Sequence, residues 1–165
     1  MAGTGSLNDC FIEQLRRAYD TEKRLVDALP HVRAAAHSEE LKQALQTHFE
    51  ETEIHVSRLE QVFEWCGEKS KTQKSKAIDG ILDDSKHVLK LDAEPDVKDA
   101  ALIAAAQEAE HFEIALYGTM RTWAAVLGRT NVMEALEVTL EEEKAADALL
   151  TSIAATLNLR AAAAK

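Results

Sequence analysis

Residues Ile103–Met120, IAAAQEAEHFEIALYGTM, decide how this chain of 165 residues is read. At helical spacing Ile103, Ala106, Glu110, Glu113, Tyr117 and Met120 fall on one stripe. The stripe is apolar at both ends and carries two carboxylates in its middle. An ionised carboxylate facing a hydrophobic core is costly unless something neutralises it. Either this stripe is a wet surface, or other helices bring a compensating charge to the same depth.

The rest of the chain is as helical in character. Two Pro, six Gly and abundant Ala, Leu, Glu and Lys argue for helix almost throughout, and no short run alternates cleanly enough for a strand. The expected fold class is all-α, in a single domain with its core over residues 8–157 and frayed ends at 1–7 and 160–165. A net charge of −10 repels phosphate backbones and anionic lipid, so neither nucleic acid nor membrane is an expected partner. A cation suits such a chain, and so does an ordinary solvated helix surface. MAGTGSLNDC lacks a basic region followed by an apolar run, and no segment approaches the roughly 18 apolar residues of a membrane span. The default compartment is the cytoplasm. Cys10 and Cys66 form no ligand spacing and are expected as free thiols.

Taken in order, the first helix is expected to begin at a cap among Ser6 to Asp9 and to stop or kink at Pro30. Its inner stripe is Phe11, Leu15, Ala18, Glu22, Leu25 and Leu29. The second opens at Ser38 and closes at Gly67, with Leu41, Leu45, Thr52, Leu59 and Val62 inward, and His48, Glu51 and His55 on or beside that face. Glu50, Glu53, Ser57 and Glu64 point outward. A polar loop over 69–76 leads to a short amphipathic helix over 77–91, inside a long crossover. Pro95 opens the third long helix, Gly128 ends it, and Thr130 or Asn131 caps a fourth that reaches about Leu159. The inner stripe of the fourth is Leu136, Leu140, Glu143, Asp147, Leu150 and Ala154, with Glu141 and Glu142 facing away. Four long helices with one long link between the second and third predict the ferritin-like four-helix bundle.

Inward carboxylates therefore recur on every long helix: Glu22; Glu51 with His55; Glu110 and Glu113; Glu143 with Asp147. Glu22 and Glu113 are separated by 91 residues, and Glu51 and Glu143 by 92, so acid groups return at similar depth in each helix pair. Residues three or four apart share a helix face and can reach one point. Oxygen-rich sites with one or two imidazoles suit iron or manganese, and a bundle core holds two such ions. Glu22, Glu51, Glu113 and Glu143 supply four negative charges, which two divalent ions would cancel. His48 and His111 read as structural or supporting groups, and His31, His37 and His87 as surface residues. Tyr117 reads as a core tyrosine or as a hydrogen-bond donor to a ligand.

At these residues the sequence resembles a known family. YDTEKRL (19–25), LPHVRAAA (29–36), HFEETEIHVSRLEQVF (48–63), DAALIAAAQEAEHFEIALYGTMRT (99–122) and TLEEEKAAD (139–147) are similar to the YciE/YciF family of ferritin-like bacterial stress proteins. The resemblance implies a rubrerythrin-like bundle, usually dimeric, with a di-iron or di-manganese centre and a catalase- or peroxidase-like role in stress. The chain departs from the broader ferritin-like pattern of Glu-x-x-His on two helices. Glu51 and His55 stand four apart, and the fourth helix offers Glu143 and Asp147 in place of a histidine.

Two functions are expected on this basis. The first is a di-metal redox protein acting on peroxide or dioxygen, with Glu51 and Glu143 or Glu113 bridging the ions. The second is a non-catalytic scaffold whose metal site is vestigial. Iron storage in a closed cage is disfavoured, because such shells usually need a fifth, C-terminal helix.

Overall fold

The computed structural model describes residues 5–163. These residues form α1 (Leu7–Ala35), α2 (Glu39–Trp65), α3 (Lys76–Leu89), α4 (Pro95–Val126) and α5 (Thr130–Ala163). The expected fraying of residues 1–4 and 164–165 falls outside the described residues.

The helix boundaries follow local chemistry. Ser6 caps α1 reciprocally with Asp9: its hydroxyl accepts from the Asp9 amide, and the Asp9 carboxylate accepts from the Ser6 amide at 3.1 Å. Gly67 and Gly128 end α2 and α4 at φ values of 69° and 71°, a conformation in which a Cβ is strained. Two expected boundaries are corrected. α1 continues past Pro30 to Ala35, because Val32 and Ala36 beyond the proline are buried and the exposed ring gives up one amide donor. α5 begins at Thr130 itself and runs beyond Leu159 to Ala163, as its alanines favour.

α1 packs closely with α2 and α4 with α5; α2 meets α5 and α1 meets α4, which closes a four-cornered bundle. α3 lies against α1 and α4, so it covers one of the two seams between the hairpins. The core is in two parts. Phe11, Leu15, Phe63, Met120 and Leu136 lie in one, and Leu25, Leu41, Ile78, Leu102 and Leu157 in the other. Each long helix passes from one apolar cluster into the other. The residues between the clusters are the polar ones: Glu22, His48 to His55, Glu110 to Glu113, and Glu143 to Asp147.

Two adjacent side chains near the start of α4 tie the hairpins together. The Asp99 carboxylate, 1% exposed, accepts from the His37 and Ser38 amides at 2.8 and 2.7 Å, at the N-terminus of α2 where the helix dipole favours an anion. The Lys98 ammonium donates to the Leu89 and Leu91 carbonyls, both at 2.7 Å, where α3 ends. No helix among the described residues is long and apolar enough to cross a membrane.

Candidate metal centre

Where the four helices pass between the apolar clusters, six titratable side chains converge. Glu22 comes from α1, His48 and His55 from α2, Glu110 and Glu113 from α4, and Glu143 from α5, and all six are buried. One group of four comprises His48, Glu110, Glu113 and Glu143; a second comprises Glu22, His55 and Glu143. Within each group, one ligand atom per residue lies within 4.8 Å of the others. Glu143 belongs to both. Its Oε1 is 3.1 Å from His55 Nδ1, and its Oε2 is 3.9 Å from His48 Nδ1. Glu110 Oε1 lies 3.2 Å from His48 Nε2, and Glu22 Oε1 lies 3.5 Å from His55 Nδ1.

These groups are short of hydrogen bonds. Both oxygens of Glu113 and Glu143, one each of Glu22 and Glu110, and the Nδ1 atoms of His48 and His55 are buried with no hydrogen-bond partner. Proteins rarely leave so many acceptors unmatched in one place. The donor set fits a metal well: carboxylate oxygens and imidazole nitrogens at shared depth, with the remaining valences facing inward.

Electrostatics point the same way. Burial, with Glu143 and Glu22 close by, pushes the Glu113 carboxyl well above its usual range, and burial with Glu143 and Asp147 does the same to Glu110. Burial opposes a charged His55, but Glu143 and Glu22 outweigh it and raise the imidazole to about 10. For Glu143 the penalty of burial is overcome by His55 and His48, which hold its carboxyl below the usual value. Protons and imidazolium thus do in the metal-free protein what cations would do in the loaded one.

Several neighbours orient these groups. Tyr117, fully buried, donates from its hydroxyl to Glu22 Oε1. His55 Nε2 is 2.9 Å from Glu142 Oε2, and Arg58 donates to the same carboxylate at 2.6 Å and to the Thr139 hydroxyl at 2.5 Å. Glu142 therefore turns partly inward, contrary to the sequence expectation, because a cation and an imidazole on α2 attract it. Thr52 lies between the two histidines and turns its hydroxyl onto the His48 carbonyl at 2.7 Å.

Two sequence candidates stand outside the cluster. Glu51 is half-buried on the flank of α2, where burial, with Glu142 and Glu143 facing it and His48 opposing, raises its carboxyl. Asp147 accepts from Gln107 at 2.9 Å and lies 3.3 Å from the exposed His111. His48, expected in a supporting role, is inside. The signal for it was there: seven residues separate His48 and His55, nearly two helical turns, so both share one face. One Glu-x-x-His spacing does occur, Glu108 to His111, but both residues are exposed. His31, His37 and His87 are at the surface, and Cys10 and Cys66 are free thiols.

A family model described as a domain of unknown function (DUF892) matches residues 6–163. The chain belongs to this family. Protein YciF of Escherichia coli (strain K12) is 42% identical over 150 residues, covering 90% of each chain. The crystal structure of the E. coli stress protein YciF superposes with a TM-score of 0.90 at 41% identity, over 93% of this chain and 98% of that one. YcfI of Rhodopseudomonas palustris gives 0.88 at 37%, over 91% and 96%. A protein of Xanthomonas campestris pv. campestris shares the fold, with a TM-score of 0.75 at 19% identity over 95% and 96%. The all-α bundle and the likeness to the YciF stress proteins stand as the sequence implied, and the family has a buried acid–imidazole cluster in this member that could hold metal.

Proposed function

We propose that the protein is a di-metal carboxylate protein that reacts with peroxide or dioxygen in stress defence, working in the cytoplasm as a homodimer. The reading rests on Glu143. It is the one carboxylate common to both groups, and it turns one oxygen toward each histidine. His48, Glu110, Glu113 and Glu143 would hold one ion, and Glu22, His55 and Glu143 the other. Glu22, Glu110, Glu113 and Glu143 together match the charge of two divalent ions, iron or manganese. Bound there, the ions would supply electrons to the oxidant.

The chain's own part is to position and to exclude. Tyr117 fixes one oxygen of Glu22, leaving the other for the centre. Arg58 and Glu142 fix the ring of His55 from its far side. The two apolar clusters keep bulk water from both ends. Replacing Glu143 by Ala should abolish stoichiometric metal binding while circular dichroism stays helical; metal content at the wild-type level would end this assignment.

One observation favours a second reading, a non-catalytic stress scaffold with a weakly occupied centre: α5 contributes no imidazole to the cluster. Elemental analysis of protein purified without added metal, paired with a peroxide assay, separates the two. About two ions per chain with turnover is expected of the enzyme. Trace metal and no turnover after loading is expected of the scaffold.

A further inference from the structure

The two seams between the hairpins differ in what they expose. At the α1–α4 seam, α3 lays Ile81 and Leu82 over the gap, leaving a space of only about 30 Å³ between apolar walls and the inner pair His48 and Glu110. A wider opening of about 490 Å³ farther along that seam carries Arg17, Lys74 and Lys76 and touches none of the six cluster residues. At the α2–α5 seam no further helix among the described residues intervenes. There an open trough of about 550 Å³ is lined by Glu51, Glu134, Glu137, Glu141 and Glu142, with Arg121 as the one cation. Arg121 is paired with Glu137, Lys144 with Glu141 and Arg58 with Glu142. Glu51 and Glu134 take part in no ion pair among the described residues.

The trough leads inward. Glu51 and Ala145 line it and also line a second, deeper cleft of about 100 Å³. At the bottom of that cleft are His48 and Glu110. Both are more than nine-tenths buried, and His48 Nδ1 and Glu110 Oε2 have no hydrogen-bond partner. An acidic surface, a half-buried carboxylate shared by both spaces and two unmatched ligand atoms in the inner one thus lie next to one another.

We infer that the α2–α5 seam is the inlet for divalent cations, with Glu51 as a transfer carboxylate at its neck and not a resident ligand. This rests on the metal-centre reading above. A cleft of one sign with low-dielectric walls concentrates counter-ions and speeds their capture. Ala145, small and exposed, is the other residue that both spaces share, so a larger side chain there would project into the mouth. Glu51 explains itself in this role: it stands on the flank of α2, one step outside the cluster, where it can pass an ion to Glu110 and His48 without holding it.

The test is uptake of cobalt(II) by metal-free protein, followed by rapid-mixing absorbance, with final content by elemental analysis. Glu51→Gln and Ala145→Leu should each slow loading about tenfold or more, in line with loss of electrostatic focusing or of the opening, and reach wild-type stoichiometry. Ala28→Leu, at the α1–α4 seam, should load at the wild-type rate. Unchanged rates in Glu51→Gln and Ala145→Leu would overturn the inlet, as would equal slowing by Ala28→Leu. Loss of a bound ion in Glu51→Gln would make Glu51 a ligand and overturn its transfer role. Wild-type protein that takes up no cobalt would sink the metal centre itself, and the inlet with it.

Discussion

The α1–α4 seam and the α2–α5 seam are built from the same material, helix against helix, and come out as opposites. One is covered by α3 and lined mostly by Leu, Ile, Val and Ala down to His48 and Glu110; the other is uncovered, and glutamates line its mouth above an apolar-walled cleft that reaches the same two residues. The difference teaches that stability and access have been separated in space. On the covered side α3 adds the buried apolar side chains Ile78 and Leu82, while the uncovered side keeps charges solvated next to a buried cluster. A crossover long enough to carry a helix is what permits this, because only one seam receives the cover.

The comparison can be broken first through the groups on which both seams converge. In metal-free protein the raised carboxyls of Glu110 and Glu113, ordinarily near 4.5, mean that the folded state holds protons the unfolded chain has released. His55 acts in the same sense: its contribution is complete below 6.5 and lost as pH rises through about 10. Glu143, held low, works in the opposite sense at acidic pH. The expected outcome is a metal-free protein whose denaturant midpoint falls as pH climbs from mildly acidic to alkaline, and whose loaded form shows a much flatter profile. A midpoint that rose over the same range would contradict the cluster's electrostatics.

On the covered side, Leu82→Ala should cost about 2–4 kcal/mol by urea unfolding, the usual range for a buried leucine truncated in a packed core. A loss within about 0.5 kcal/mol would show that α3 is not a seal. Tyr117→Phe removes the donor to Glu22 and leaves a buried carboxylate oxygen unmatched, which should cost about 1–2 kcal/mol in metal-free protein. On the open side, Ile54→Ser changes a residue that is 53% exposed and should stay within about 0.5 kcal/mol of wild type. Smallest of all, His111→Ala should leave metal stoichiometry untouched, because the only histidine in a Glu-x-x-His spacing faces solvent. A lost equivalent there would move the centre.

Much of this was legible before any coordinates. Ser6, Ser38, Pro95, Gly67 and Gly128 mark helix ends by chemistry that acts within a few residues, and periodicity carried Glu22, His55, Glu110, Glu113 and Glu143 inward. What escaped depended on the rotation of one helix against another. Glu51 lies three residues from His48, about 60° off its direction at 3.6 residues per turn, and so falls on the rim while the two histidines face in. Glu142 looked solvated on α5 alone; only the opposing Arg58 and His55 draw it toward α2. Pro30 does not stop α1 for the same kind of reason, since buried contacts farther along the helix outweigh a missing amide bond.

Lys98 and Asp99, neighbours on α4, grip the end of α3 with one hand and the cap that leads into α2 with the other. Together they act as a datum from which heights along the bundle are measured. Sliding α4 by a single residue would move it about 1.5 Å and swing its side chains by about 100°. Glu110 and Glu113 would then no longer face Glu22 and Glu143, so the meeting point at mid-height is fixed from a clasp three turns away.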